Sequence, residues 1–426
     1  MRVIRRRLPA LPLLSAALLA AALPLTGSLP ATAAQAPPVG ITYAGAGETA
    51  LPDSWIVELK DAVRPAGVPG IARELTGRTA GARLGHVYTA ALHGFSARMG
   101  RAEAVRLAAD PRVARIVQDT RVSLDPASAA AAAAAAASAS ALPDATQPNA
   151  PWGLDRIDQR LLPLSTTYTY RTTAANVHVY VIDTGLRTTH TEFGGRASVG
   201  IDTVGDGRNG EDCNGHGTHV GGIAAGAVHG VAKFARPVAV RVLNCQGSAA
   251  TSGVIAGIDW VTANAVKPAV ANMSLGGAAN TALDAAVRRS IASGVTYTVS
   301  AGSSARPDGA CTTSPARVPE TIVAAASDRT DRRAASSNHG NCVSLFAPGV
   351  GIPSAWKDSD TATATLSGTS MATAHTAGAV ALHLAFRPAD PPAQVKQALL
   401  ANATAGVLQG SPPPAPNRLL YTLYLP

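Results

Sequence analysis

From about residue 145 onward, short β-branched apolar runs alternate with stretches of small residues at helical spacing, and few folds accommodate that alternation. Val177–Ile182, Val238–Leu243, Val270–Leu275, Val295–Val299 and Thr321–Ala325 are predicted strands. They are apolar without strict alternation, the pattern of strands covered on both faces of a parallel sheet. Thr218–Ala227, Ser252–Asn264, Thr281–Ser293 and Ala374–Ala385 are predicted helices. The reading is α/β, a doubly wound and mostly parallel sheet, whose ligands meet the chain at the carboxyl ends of the strands.

Residues 145–426 follow a smaller unit. In residues 50–125, Trp55–Leu59, His86–Leu92 and Val113–Val117 read as strands, Arg121–Leu124 ends the unit, and Arg101–Asp110 reads as a helix stopped by Pro111, an α+β arrangement. Residues 126–144 form an alanine-rich linker that cannot bury a specific core. Residues 1–34 carry Arg2, Arg5, Arg6 and Arg7, then an apolar centre, then Ala31-Thr32-Ala33-Ala34, which reads as a secretory signal peptide. Those four arginines supply nearly half of the net charge of +9, so no segment has the basic density of a nucleic-acid footprint. No later stretch is long and apolar enough to span a membrane, so no membrane association is expected after signal removal.

Three polar groups sit at predicted element ends. Asp183, in Asp183-Thr184-Gly185, closes a buried strand, placed to orient a group beyond the sheet; alone it reads as a capping or turn acid. His216 lies between Gly215 and Gly217 ahead of a helical run. Paired with His219 it has i, i+3 spacing and no adjacent Glu, a poor zinc signature. Ser370, in Gly368-Thr369-Ser370-Met371-Ala372-Thr373, opens a helix that is apolar nearly all round. It reads as a cap, or as a nucleophile whose own N–H and helix end stabilise an oxyanion. Together they supply orienter, general base and nucleophile, in the chain order Asp, His, Ser.

Four cysteines, Cys213, Cys245, Cys311 and Cys342, form an even set in an exported chain, which points to two disulfides with three possible pairings. Pairing sequence neighbours closes two loops of about thirty residues, each contributing about 3–4 kcal/mol in the chain-entropy account. No two lie within four residues of each other, which disfavours zinc.

Residues 145–426 resemble the subtilisin-family serine proteases of the proteinase K group. The resemblance rests on Trp152-Gly153-Leu154-Asp155-Arg156-Ile157-Asp158-Gln159, on the stretches around Asp183, His216 and Ser370, on Ala271-Asn272-Met273-Ser274-Leu275-Gly276-Gly277, and on Pro416-Asn417-Arg418-Leu419-Leu420-Tyr421. Residues 50–125, through Leu92-His93-Gly94-Phe95-Ser96-Ala97, resemble the family's inhibitory propeptide. The resemblance implies a subtilisin-like domain behind a ferredoxin-like propeptide. It implies a secreted, extracellular and monomeric endopeptidase, made as a zymogen cut near Asp144/Ala145 and held by its own propeptide. Catalysis would use Asp183, His216 and Ser370, on protein or peptide substrates with bulky apolar side chains. Ser274, Leu275, Gly276, Gly277, Ala301 and Gly302 would bind substrate, and the cysteines would pair 213–245 and 311–342.

Three positions depart from the family pattern. Ser303 stands where the family has the Asn that donates to the oxyanion, which implies slower turnover or, as the alternative reading, an impaired pseudoprotease acting as a peptide-binding module. Ala374 replaces a proline early in a helix, at a cost in rigidity. Ser344 replaces an Asp that binds calcium with the carbonyls of Pro319 and Thr321, leaving Glu320 as a substitute. A second calcium set would use Asp155, Asp158 and Gln159, with Ser165 and Thr167 in place of later partners. Calcium is thus expected as a structural cofactor, and no catalytic metal is expected.

Overall fold

The computed structural model describes residues 40–45, 49–124, the backbone of 131–132, and 145–425. The signal-peptide segment and nearly all of the alanine-rich linker lie outside the described residues. Among the described residues no helix is long and apolar enough to cross a membrane.

The first unit runs β1 (Ala50–Leu59), α1 (Val68–Gly77), β2 (Arg83–Tyr88), β3 (Gly94–Arg98), α2 (Arg101–Leu107) and β4 (Val113–Ser123). Its strands pair antiparallel in the order β4-β1-β3-β2, the split βαβ arrangement of the expected ferredoxin-like unit. Inward residues of the pleat and one stripe of each helix close its core, with Trp55, Val57, Leu75, Phe95, Leu107 and Ile116 all buried. Three local expectations change. The strand at His86 stops at Tyr88, because Thr89–Leu92 turn to offer their backbone N–H groups to Asp259. The helix from Arg101 ends at Leu107. The pieces Val113–Val117 and Arg121–Leu124 are one strand.

The second unit opens with β5 (Ala145–Pro148), α3 (Trp152–Ile157) and β6 (Thr167–Tyr170), where β5 and β6 pair antiparallel. It continues through β7 (His178–Asp183), β8 (Ser198–Asp202), α4 (His216–Ala225), β9 (Arg236–Arg241), β10 (Ser248–Ala250), α5 (Thr251–Asn264) and β11 (Ala269–Met273). Then come α6 (Thr281–Ala292), β12 (Thr296–Ser300), β13 (Ile322–Ser327), β14 (Leu345–Pro348), α7 (Thr369–Phe386), α8 (Pro392–Asn402), β15 (Thr404–Ala405) and β16 (Arg418–Leu419). The main sheet has the order β8-β9-β7-β11-β12-β13-β14-β16-β15, parallel except for the last pair. The doubly wound parallel sheet is therefore as the apolar runs predict. Helices α4 and α7 cover one face through Val220, Ile223, Met371 and Val380, and α5 and α6 cover the other through Val254, Ile258, Leu283 and Val287.

The chain leaves β7 toward β8 on one side and leaves β11 toward β12 on the other. The order therefore reverses between β7 and β11, and a crevice opens beyond their carboxyl ends. Asp183 is the last residue of β7, and Ser274 follows β11.

The first unit packs on the α5–α6 face. Ile56, Tyr88, Leu92, Val117 and Val122 join the same apolar cluster as Val254, Ile255 and Leu283. Each such side chain contributes about 1.5–3 kcal/mol when fully withdrawn from water. Helix α5 is held at two points. Asp119 accepts Ser252 N–H at 3.1 Å and Ser252 Oγ–H at 2.6 Å, placing a carboxylate at the positive end of α5. Further along α5, Asp259 Oδ1 collects the N–H groups of Thr89, Ala90, Ala91 and Leu92 at 2.7–3.4 Å.

Candidate active site

Helix α4 begins at His216 rather than at Thr218, so the imidazole stands in the first turn at the mouth of the crevice. Its Nδ1 lies 2.8 Å from Asp183 Oδ1, and the same oxygen accepts Thr184 N–H at 2.8 Å. Both side chains are almost fully buried. A Cβ at Gly217 would lie 2.1 Å from Gly185 O, so only glycine lets the two loops meet and bring acid and imidazole together.

Asp212 organises the loop that carries His216, a role the sequence reading does not assign. One oxygen accepts Thr184 Oγ1–H, Asn214 N–H and Gly215 N–H at 2.7–2.9 Å. The other accepts Thr218 N–H and Thr218 Oγ1–H at 2.9 and 2.7 Å. An acid four residues ahead of a helix start is the visible signal, since a carboxylate suits orphan N–H groups there.

Ser370 lies in the first turn of α7, which starts at Thr369 rather than at Ala374, and it is fully buried. Its Oγ–H donates to Ser274 O at 3.3 Å, while Ser274 Oγ–H donates to Ser370 O at 3.0 Å. The nucleophile candidate is thus tied to the end of β11, while Asp183 and His216 are tied to the end of β7. Ser303, after β12, accepts Thr369 N–H at 3.1 Å and lies 3.2 Å from Thr369 Oγ1, which in turn accepts Gly302 N–H at 3.2 Å. Asn338, missed in the sequence, holds the same segment by donating to Ala301 O at 2.8 Å and accepting from Ser304 and Arg306.

The crevice holds an extended chain from the first unit. Gly276 and Ser123 exchange two backbone hydrogen bonds at 3.2 and 3.3 Å. On the other side, Arg121–Ser123 pair antiparallel with β10. Gly276, in the predicted Ser274–Gly277 stretch, thus pairs with the first unit's own chain, and β10, which the sequence did not single out, pairs with it from the opposite side. Gly276 and Gly277, with Leu275, Ser300, Gly302 and Ala316, line a pocket beside Leu124. The cysteines are joined as Cys213–Cys245 and Cys311–Cys342. The first bond ties the His216 loop to the stretch ahead of β10, where Asn214 Nδ2–H also donates to Cys245 O at 2.9 Å.

The two calcium sets fare differently. Asp158 Oδ1 is buried without a hydrogen-bond partner, and burial together with the neighbouring Asp155 pushes the Asp158 carboxyl up to about 7. Asp155 accepts Ser165 N–H at 3.0 Å and Thr166 N–H at 2.8 Å, and Gln159 Oε1 accepts Ser165 N–H at 3.2 Å, so one loop gathers these two side chains, while the other oxygen of Asp158 accepts Thr169 N–H from β6 at 2.6 Å. An orphaned buried carboxylate oxygen beside a second carboxylate suits a divalent cation, and Asp155, Asp158 and Gln159 fit one. The carbonyls of Pro319 and Thr321 do not fit one, because both accept the ammonium of Lys396 at 2.7 Å. Glu320 is paired with Arg288 at 3.4 Å instead.

Comparison with known proteins matches this geometry to a family. A sequence profile of the subtilase family matches residues 174–418, and one of the peptidase inhibitor I9 family matches residues 54–125. An extracellular serine proteinase of Thermus sp. (strain Rt41A) is 51% identical over 80% of this chain and 78% of its own length. Alkaline serine exoprotease A of Vibrio alginolyticus is 46% identical over 79% of this chain and 60% of its own. The crystal structure of a cold adapted subtilisin-like serine proteinase aligns with a TM-score of 0.63 and 49% identity, covering 65% of this chain and 99% of that one. With the subtilase profile spanning more than half of its length and a serine proteinase half identical to it over four-fifths, the chain belongs to the subtilase family of serine proteases.

Proposed function

We propose that the protein is a secreted, monomeric serine endopeptidase that acts through Asp183, His216 and Ser370 and is made as a zymogen whose amino-terminal unit is cut away near Asp144/Ala145. The observation that carries this reading is the extended chain held between β10 and Gly276. A groove that adds a strand by backbone pairing accepts peptides of many sequences, and it delivers them to the serine tied to Ser274. Ser370 Oγ attacks the carbonyl carbon. His216 takes the hydroxyl proton at Nε2 and returns it to the leaving amine. Asp183 accepts Nδ1–H, which fixes the tautomer and stabilises the imidazolium. Water then opens the acyl-enzyme by the same proton path. The glycine-lined pocket leaves room for a bulky apolar side chain ahead of the cut bond. The test is the full-length precursor on a gel, beside Ser370→Ala. The unaltered precursor is expected to shed its amino-terminal unit and the variant to stay whole; an intact unaltered precursor overturns the reading in favour of a peptide-binding pseudoprotease.

The oxyanion receives Ser370 N–H at the start of α7 and the hydroxyl of Ser303. A hydroxyl has two acceptor positions and one proton. When Thr369 N–H and Thr369 Oγ1–H fill the acceptor positions of Ser303, its own proton is left for the oxyanion. The shorter side chain reaches less far than Asn, whose loss in subtilisin costs about 10²–10³ in turnover. Ser303→Asn is therefore expected to raise kcat on a peptide substrate at least about tenfold. A smaller rise means that Ser303 already does the work of the amide.

Asp155, Asp158 and Gln159 hold a structural calcium ion that ties α3 to the loop before β6. EDTA is expected to lower the apparent Tm by about 5–10 °C, and Asp158→Asn to remove most of that response. An unchanged Tm in EDTA rules the ion out.

A further inference from the structure

The backbone carbonyls of Pro319 and Thr321, two residues apart, point at one place ahead of β13, and the ammonium of Lys396 fills it. Convergent carbonyl oxygens repel one another unless a positive charge lies between them. The turn that aims them is set from within. Thr321 N–H and Thr321 Oγ1–H both donate to Val318 O, at 3.1 and 2.8 Å. The lysine is aimed equally firmly. It stands on α8, whose neighbouring turns bury Val395 and Leu399.

The remaining groups suit a monovalent ammonium rather than a divalent ion. Ser344, next to this corner, is neutral, and its Oγ is already taken by Val323 N–H at 3.0 Å. Glu320 is turned to Arg288, yet it still adds a favourable field at Lys396. A calcium ion here would have two neutral carbonyls, no carboxylate ligand and a cation beside it. An ammonium brings three N–H donors and one charge, and 2.7 Å is the length of a charge-assisted hydrogen bond.

We propose that Lys396 is a built-in replacement for a structural metal ion, tying α8 to the turn before β13 and making this corner of the fold independent of calcium. The inference does not depend on the catalytic reading. The test uses full-length protein with Ser370→Ala, which keeps the chain from digesting itself, and reads calcium stoichiometry and apparent Tm at a fixed scan rate. Adding Lys396→Met is expected to lower the Tm by about 3–6 °C, equally in calcium chloride and in EDTA. Adding Lys396→Met with Ser344→Asp is expected to bind one more calcium ion per chain than the starting protein, and to recover the lost Tm in calcium only. Ser344→Asp with Lys396 intact is expected to gain no ion. The proposal is overturned if Lys396→Met leaves the Tm in EDTA within about 1 °C, if the paired variant gains no ion, or if Ser344→Asp alone gains one.

Discussion

Ser370→Ala is expected to lower kcat on a peptide substrate by about 10⁶, the scale of the same loss in subtilisin. The protein for this measurement is cut in trans by a trace of active enzyme, so that the groove is open. In the proposed mechanism the serine and the imidazole act as one unit: without the hydroxyl there is nothing for His216 to deprotonate, and without the base the hydroxyl is a poor nucleophile. His216→Ala is therefore expected to cost about as much, and the double variant no more than either single one. A residual rate of about 10³–10⁴ over water is expected from the proposed oxyanion donors and from the strand-like grip of β10 and Gly276. Losses that multiply in the double variant would show two independent contributions and would sink the assignment. So would a Ser370→Ala enzyme retaining more than about 1% of turnover.

Asp183→Asn is expected to cost about 10⁴ in kcat with little change in KM. The carboxylate can only accept, so it holds His216 with its proton on Nδ1 and leaves Nε2 as the base. An amide can donate to Nδ1 instead, which puts the proton on Nε2, where it blocks transfer from Ser370. The substitution keeps the shape of a fully buried side chain and the groove is untouched, so substrate binding should survive. Loss of charge also leaves a buried imidazolium without its partner in the transition state. A variant within about tenfold of the parent kcat would mean that Asp183 is only a turn acid.

The parallel sheet was legible because its strands are covered on both faces and therefore read as unbroken apolar runs. The triad candidates were legible because Asp183 closes such a run, while His216 and Ser370 each open a helix within two residues of a glycine. Other parts left no such mark. Helix α1 carries Pro69 and Gly70 in its first turns, which hides its periodicity although Ala72 and Leu75 are buried. β10 was silent because its contribution is made by backbone N–H and C=O groups, which any sequence supplies. Lys396 sits three residues before the buried Leu399 on a surface helix, where a lysine normally reads as a solvated charge. Only the two carbonyls from elsewhere in the chain reveal its purpose.

The strand that enters the groove from β4 is joined to the domain it blocks by residues 125–144. While that connection is whole, a local concentration of order millimolar keeps even a modest affinity saturating. Once it is severed, the same contacts face dilution into the surrounding medium. Latency then draws on connectivity as well as on the contacts with α5 and β10, so the onset of activity should quicken as a fully nicked sample is diluted.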